Sequence, residues 1–248
     1  MTKTRTAWTP EDIIIAFALY CVTPLTEIKV SNPVITRVST QIGHSVSSLT
    51  MRMQNFRFLD PSAEKGLQNV AKKDKEIYED FRHDWGALSS RAEELTGLSL
   101  FDAGPINGAK RISALTARSK VNSERAFFRK AVLASYDYSC CISGMHMPSF
   151  LVASHIKPYR NCDRKTERVN PENGLCLNIF YDKAFDLGLI TVDKHLRVWV
   201  AQKALTAYND DFTTQWLHEL QGESITLPTR FRPGSIFLEY HNDKIFRG

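Results

Sequence analysis

The sequence lacks the features of membrane and secreted proteins. No apolar run within its 248 residues approaches the roughly 20 residues that a membrane span needs. The first twelve residues, MTKTRTAWTPED, contain no apolar targeting segment. We therefore expect a soluble, cytoplasmic protein with no membrane partner.

Cysteine is scarce, and its spacing is not that of a metal or disulfide framework. The chain has five cysteines, and none of them form a C-x-x-C pair. An odd number without such pairs gives no disulfide framework and is typical of a reducing compartment. Two C-x-x-C pairs usually mark a structural zinc site, so their absence argues against structural zinc.

The excess of positive charge is also small. The formal net charge is +5, from 32 Lys and Arg against 27 Asp and Glu. A surplus of this size permits a polyanionic partner without requiring one. The length allows either one large domain or two small ones, each with a buried core.

Capping residues, prolines and glycines predict three helices in the N-terminal part of the chain. They cover approximately residues 10–20, 33–42 and 49–56. Gly43 separates the second helix from the third, which gives a helix-turn-helix-like outline. On the third helix we expect Arg52 and Asn55 to contact DNA. A helical domain that only packs or dimerises has the same outline, so both interpretations stay open.

The next stretch, residues 62–97, is rich in charge and is predicted to be helical. Its segment 72–76, KKDKE, mixes both signs, which is typical of a solvated helix face. The pattern weakens at a segment with glycine and proline, so we place a linker over residues 99–121. The chain is thus expected to divide into domains 1–98 and 122–248.

Local patterns in the second domain predict a strand followed by a loop. The β-prone run 150–154 ends at His155, which places an imidazole where the backbone turns. The polar segment 157–170 has no apolar period and is predicted to be a surface loop.

A turn, a second strand and a helix follow. Asn173 and Gly174 form a turn signal before the short strand 175–177. The segment 179–186 has helical spacing and carries Asp182 and Asp186 one turn apart. Around this core we expect a helix that starts at Asn122, a hairpin over 189–200 and a helix over 212–220.

Taken in order, these parts resemble the HNH nucleases with a ββα-metal site, and more closely a restriction endonuclease branch of that family. The resemblance covers the chain from about residue 124 to the C-terminus. It is carried by Tyr138, Cys141-Ile142-Ser143-Gly144, Ala153-Ser154-His155-Ile156, Asn173-Gly174-Leu175 and Asp182-Lys183-Ala184-Phe185-Asp186. It implies an α+β fold, with an N-terminal helical domain before a C-terminal ββα-metal nuclease domain.

Phosphodiester hydrolysis needs a base for water and an electrophile for the developing phosphate charge. His155 is the candidate base, because a neutral imidazole accepts a proton near working pH. We expect Asp182 and Asp186 to bind a divalent ion, Mg²⁺ or Mn²⁺, because they share one helix face. In the family, the residue at Asn173 either holds the loop that orients the histidine or contacts the metal. Considered alone, His155 could instead be a packed strand-end histidine, and Asn173 could belong to an ordinary Asn-Gly turn.

The loop after His155 is basic and is expected to contact phosphates of DNA. Its candidate DNA-binding residues are Lys157, Arg160, Arg164 and Lys165. Each of these side chains could instead be a solvated surface residue without a ligand.

Two residues depart from the family pattern. Ser154 stands before the base, where many HNH enzymes have an acid or a second histidine, and Tyr181 stands where close relatives have histidine. The leading hypothesis is a metal-dependent endonuclease of duplex DNA, acting in restriction or defence and leaving 5′-phosphates. A homodimer is expected if both strands are cut. The alternative is a catalytically degenerate DNA-binding or regulatory protein that uses its N-terminal domain.

Overall fold

A computed structural model describes residues 7–63, 70–97 and 117–248, with the backbone alone for residues 117–122. Most of the expected linker, residues 99–116, lies outside the described residues. The α-helices of the described part are α1 (Pro10–Val22), α2 (Pro33–Gln41), α3 (Val46–Leu59), α4 (Lys72–Phe81), α5 (Trp85–Thr96), α6 (Ala117–Ser135), α7 (Ile179–Asp186), α8 (Gln202–Ala207), α9 (Asp211–Trp216) and α10 (Ser235–Lys244). The strands are β1 (Leu151–His155), β2 (Gly174–Asn178), β3 (Ile190–Val192) and β4 (Val198–Val200).

The three predicted N-terminal helices are confirmed, each with a side chain that caps it. Thr9 accepts a hydrogen bond from the backbone N–H of Asp12 at 3.2 Å, while Asp12 accepts one from the backbone N–H of Thr9 at 3.1 Å. Asn32 and Ser45 cap α2 and α3 through their side-chain oxygens. Every residue of α1 from 13 to 22 is buried, and α3, α4, α5 and α6 pack around this helix.

One charged segment behaves differently from its prediction. The segment 72–76 begins α4, but Asp74 is fully buried instead of lying on a solvated face. A buried carboxylate needs partners, and the amide of Asn55 donates to it at 2.8 Å. Arg52 donates to it as well. Asp74 therefore ties α4 to α3.

Helix α6 connects the N-terminal helices to the second half of the chain. It starts at Ala117, five residues before the predicted start at Asn122. It packs against α1 and α5 and also against β1 and β2. The buried hydrophobic residues on both sides of it form one continuous cluster. The division into domains 1–98 and 122–248 stays a prediction, and the two parts share this core.

Strands β1 and β2 form an antiparallel hairpin, and α7 follows directly. The register pairs Leu151 with Asn178 and His155 with Gly174. Asn178 ends β2 and caps α7 by accepting hydrogen bonds from two backbone N–H groups of its first turn. The predicted order of strand, loop, strand and helix is confirmed.

Gly174 is required by the packing of α6 on the hairpin. A Cβ atom at this position would lie 2.3 Å from Cγ2 of Val132 and 3.1 Å from Cζ of Phe128. Real Cβ atoms do not approach other heavy atoms so closely, so the missing side chain allows α6 to lie against β2.

The C-terminal part of the chain packs on α7 through β3. The predicted hairpin of β3 and β4 is confirmed, and α10 packs against β3. The helix expected over 212–220 is instead divided into α9 and a 3₁₀ turn, His218–Leu220. In the described part of the chain, no helix combines the length and apolar character of a membrane span.

Candidate active site

The candidate base, His155, lies at the end of β1 between aromatic rings. Its imidazole stacks on Phe128 of α6, with ring centroids 3.9 Å apart and an angle of 16° between the planes. Tyr159 contacts the imidazole edge-on, with centroids 5.6 Å apart. Tyr159 belongs to a 3₁₀ turn, Tyr159–Asn161, that follows the strand. The ring of His155 is thus held in orientation from two sides.

The hydrogen bond of His155 determines which ring nitrogen is basic. Its Nε2 lies 3.0 Å from the carbonyl oxygen of Arg168. A carbonyl only accepts, so Nε2 carries the hydrogen and Nδ1 keeps the lone pair in the neutral ring. Burial lowers the pKa of His155 below its ordinary value of 6.5; the hydrogen bond to Arg168 opposes this shift, and the charge of Arg125 adds to it. The imidazole is therefore neutral at pH 7 and able to accept a proton at Nδ1.

Asn173 is fully buried and binds the loop after β1 through both ends of its amide. Its Oδ1 accepts a hydrogen bond from the backbone N–H of Lys157 at 2.8 Å. Its Nδ2 donates to the carbonyl oxygen of Lys157 at 3.2 Å and lies 3.2 Å from Sγ of Cys162. Of the two roles expected for this residue, these contacts fit the one in which it holds the loop beside the histidine.

Asp182 and Asp186 lie one turn apart on α7, with Asp182 partly buried and Asp186 exposed. The pKa of Asp186 is raised, first by partial desolvation of its carboxyl group and then by the negative charge of Asp182. Lys183 opposes this shift only in part. A pair of repelling carboxylates on one rigid helix is an arrangement that a bound cation stabilises.

The donor set fits a hard divalent cation held by few protein ligands. Among the described residues, no group of three or more His, Cys, Asp and Glu side chains is placed to hold a metal ion. Mg²⁺ is commonly held by one or two carboxylates, with water and substrate phosphate completing the shell. That Asp182 and Asp186 bind such an ion stays a prediction.

The four basic loop residues fall into two groups. Lys157 pairs with Glu167 at 2.6 Å, and Lys165 lies 3.6 Å from the carboxylate of Asp84. Arg160 and Arg164 are exposed. Lys165 is exposed like the two arginines, whereas Lys157 is partly buried. Contact between these residues and DNA stays a prediction.

Arg52 and Asn55, which we expected to contact DNA, have partners inside the fold, and their contact with DNA stays a prediction. Both side chains donate hydrogen bonds to the buried carboxylate of Asp74, and Arg52 also lies 4.4 Å from the ring centroid of Trp8. One guanidinium nitrogen of Arg52 and the amide nitrogen of Asn55 are therefore used within the fold. The helix-turn-helix-like role of α2 and α3 stays a prediction.

Several residues of the site were not predicted from the sequence. Phe128 lies on the helix that was expected to start at Asn122, but its contact with His155 was not predicted, and the carbonyl of Arg168 has no sequence signal because it is a backbone atom. Arg125 and Tyr159, which lie beside His155, belong to a helix and a turn that the local motif does not connect. Their positions depend on how α6 packs on the hairpin.

Strands β1 and β2 are followed by α7, and His155 lies at the end of β1, which is the strand, strand and helix order that the resemblance to HNH nucleases implies. Residues 140–193 match the family model described as HNH endonuclease. The matched segment includes β1, β2 and α7 and ends within the hairpin of β3 and β4. The chain therefore contains an HNH endonuclease domain, which indicates nuclease activity on nucleic acid. No curated protein matches the chain.

Proposed function

We propose that this protein is a metal-dependent endonuclease that hydrolyses phosphodiester bonds of duplex DNA, with His155 as general base. The observation that carries the proposal is the orientation of the His155 ring. The hydrogen bond from Nε2 to Arg168 leaves Nδ1 with the lone pair, and the stack on Phe128 holds the ring in place. A base needs this combination of a fixed position and a free lone pair.

The residues of the chain divide the work as follows. His155 accepts the proton of the attacking water at Nδ1. Asn173 keeps the loop after β1 closed on the strand end, so that Arg168 continues to orient the imidazole. Asp182 and Asp186 would hold the divalent ion, Mg²⁺ or Mn²⁺. When bound, this ion supplies positive charge that stabilises the phosphorane and the leaving 3′-oxygen.

The biological setting that we infer is restriction of foreign DNA, with 5′-phosphate products. It is supported by the resemblance of the segments around His155 and Asp186 to the restriction branch of the HNH nucleases. A homodimer would bring two such sites to the two strands of a duplex.

Incubation of the purified protein with supercoiled plasmid tests the proposal. We expect nicked and linear products with Mg²⁺ or Mn²⁺ and none with a chelator. The His155→Ala variant is expected to lose cleavage, whereas a variant of an exposed histidine, His146→Ala, keeps it. Equal cleavage by wild type and His155→Ala would remove the histidine from this role. The absence of cleavage with any divalent ion would favour the DNA-binding alternative.

A further inference from the structure

Two arginines meet one tyrosine beside the candidate base. The guanidinium carbons of Arg125 and Arg168 each lie 4.9 Å from the ring centroid of Tyr159. The same ring contacts the imidazole of His155 edge-on. Positive charge is therefore concentrated on the side of the histidine where Tyr159 lies.

The two arginines differ in what else they bind. Arg168 is fixed, because its Nε donates to the carbonyl oxygen of Cys162 at 3.3 Å and its own carbonyl accepts from His155. Arg125 is exposed, and across the described ranges its guanidinium has no hydrogen bond and no ion pair. The adjacent acid, Glu124, is buried against Gly86 of α5. The guanidinium of Arg125 is thus oriented by an aromatic ring while its N–H donors stay available.

An available guanidinium at this place is suited to a phosphate. Its planar fork donates two parallel hydrogen bonds to phosphate oxygens, a geometry that an ammonium group does not offer. The cation–π contact with Tyr159 orients the group without using its donors. Arg125 lies on α6, outside the segment that matches the HNH endonuclease model.

We propose that Arg125, positioned by Tyr159, binds a backbone phosphate of the strand that is cut. This inference rests on the proposed function, because it places the substrate strand beside Nδ1 of His155. The contact is made to the phosphate and not to a base, so it adds affinity and register without adding sequence preference.

Substitution of Arg125 tests the inference through substrate binding. For Arg125→Ala we expect a KM for duplex oligonucleotides about tenfold higher than that of wild type, across unrelated sequences. The slope of log affinity against log salt should fall by about one, because one phosphate contact is lost. Arg125→Lys keeps the charge but cannot donate two parallel hydrogen bonds to one phosphate. Its KM should therefore lie between those of wild type and Arg125→Ala. Tyr159→Phe keeps the aromatic ring and should behave like wild type.

Arg91→Ala is the matched control, because it removes an exposed arginine that pairs with Glu94 on α5. Binding is also measured in the His155→Ala background, where cleavage does not consume the duplex. If wild type binds duplex without cutting it, the proposed function fails, while the binding measurement still tests the role of Arg125. Equal affinities and salt slopes for Arg125→Ala and Arg91→Ala would overturn the inference. A wild-type protein that binds no duplex would overturn both proposals.

Discussion

The imidazole of His155 lies flat on the ring of Phe128, 3.9 Å away between centroids, and so a helix outside the matched segment supports the candidate base. The contact crosses from α6 to the end of β1. It explains why His155 has a lowered pKa, since the aromatic ring replaces water on one face of the imidazole. The surroundings of His155 thus depend on how α6 packs on β1, and not on the local motif alone.

Substitution of Phe128 by leucine is expected to slow cleavage by between about tenfold and a hundredfold, because the imidazole loses the surface that fixes its plane. The measurement is the single-turnover rate on a duplex oligonucleotide. Phe127→Leu is the control, because Phe127 is also buried on α6 but its ring contacts Trp85. Both variants should lose stability to a similar extent. Equal rates for the two folded variants would show that the stack does not orient His155.

Replacement of Asn173 separates its two expected roles. Asn173→Ala leaves the partly buried N–H of Lys157 without its acceptor and should lower the free energy of unfolding by about 2 kcal/mol, with loss of cleavage. Asn173→Asp keeps an oxygen but removes the amide donor. If the residue holds the loop, both variants are impaired alike; if it binds metal, Asn173→Asp keeps its affinity for Mn²⁺ in calorimetry. We expect the first result, with Asn170→Ala as the control.

Removal of either carboxylate on α7 is expected to weaken Mn²⁺ binding at least about tenfold, because few protein ligands hold the ion. Asp182→Asn and Asp186→Asn are compared by calorimetry with Asp80→Asn, which removes an exposed acid on α4. The affinity of wild type should also fall at acid pH, at a higher pH than for an ordinary aspartate, since the pKa of Asp186 is raised. Unchanged affinity in both variants would place the metal elsewhere.

His241 provides a test of the packing behind the site. Its Nδ1 lies 2.9 Å from the hydroxyl of Thr191, its Nε2 lies 3.2 Å from the carbonyl oxygen of Phe185, and its ring stacks on Phe185. Burial lowers the pKa of His241 from 6.5 to about 4. The folded protein therefore favours the neutral ring, and the unfolded chain binds the proton first as the pH falls.

The stability from neutral His241 is complete above pH 6.5 and is lost as the pH falls towards 4. Between pH 7 and pH 5 the loss should be about 2 kcal/mol in the free energy of unfolding. Chemical denaturation at the two pH values measures it, and His241→Gln should be less stable at pH 7 but lose less on acidification. The same loss in both proteins would assign the pH dependence to other groups.

The hairpin and α7 could be predicted because their signals are local. The β-prone run before His155, the Asn173-Gly174 turn and the helical spacing of 179–186 each act within a few residues. The same kind of signal predicted the capped helices at the N-terminus. These elements form with nearly the expected bounds.

The remaining parts depend on contacts between distant segments. The mixed charges around Asp74 are typical of a solvated face, but α3 brings Arg52 to it and the carboxylate is buried. In the same way, nothing near His155 in the sequence indicates that Phe128 and Arg125 lie beside it. Burial and partner choice are tertiary properties, and a local pattern does not determine them.

The measurement that tests the account most directly is the pH dependence of single-turnover DNA cleavage by wild type and His155→Ala. For wild type we expect an acid limb with a midpoint below pH 6.5, because the pKa of His155 is lowered by burial. His155→Ala should cut at least about a hundredfold more slowly and lack that limb. Cleavage by His155→Ala at the wild-type rate, with the same acid limb, would contradict the assignment of His155 as the base.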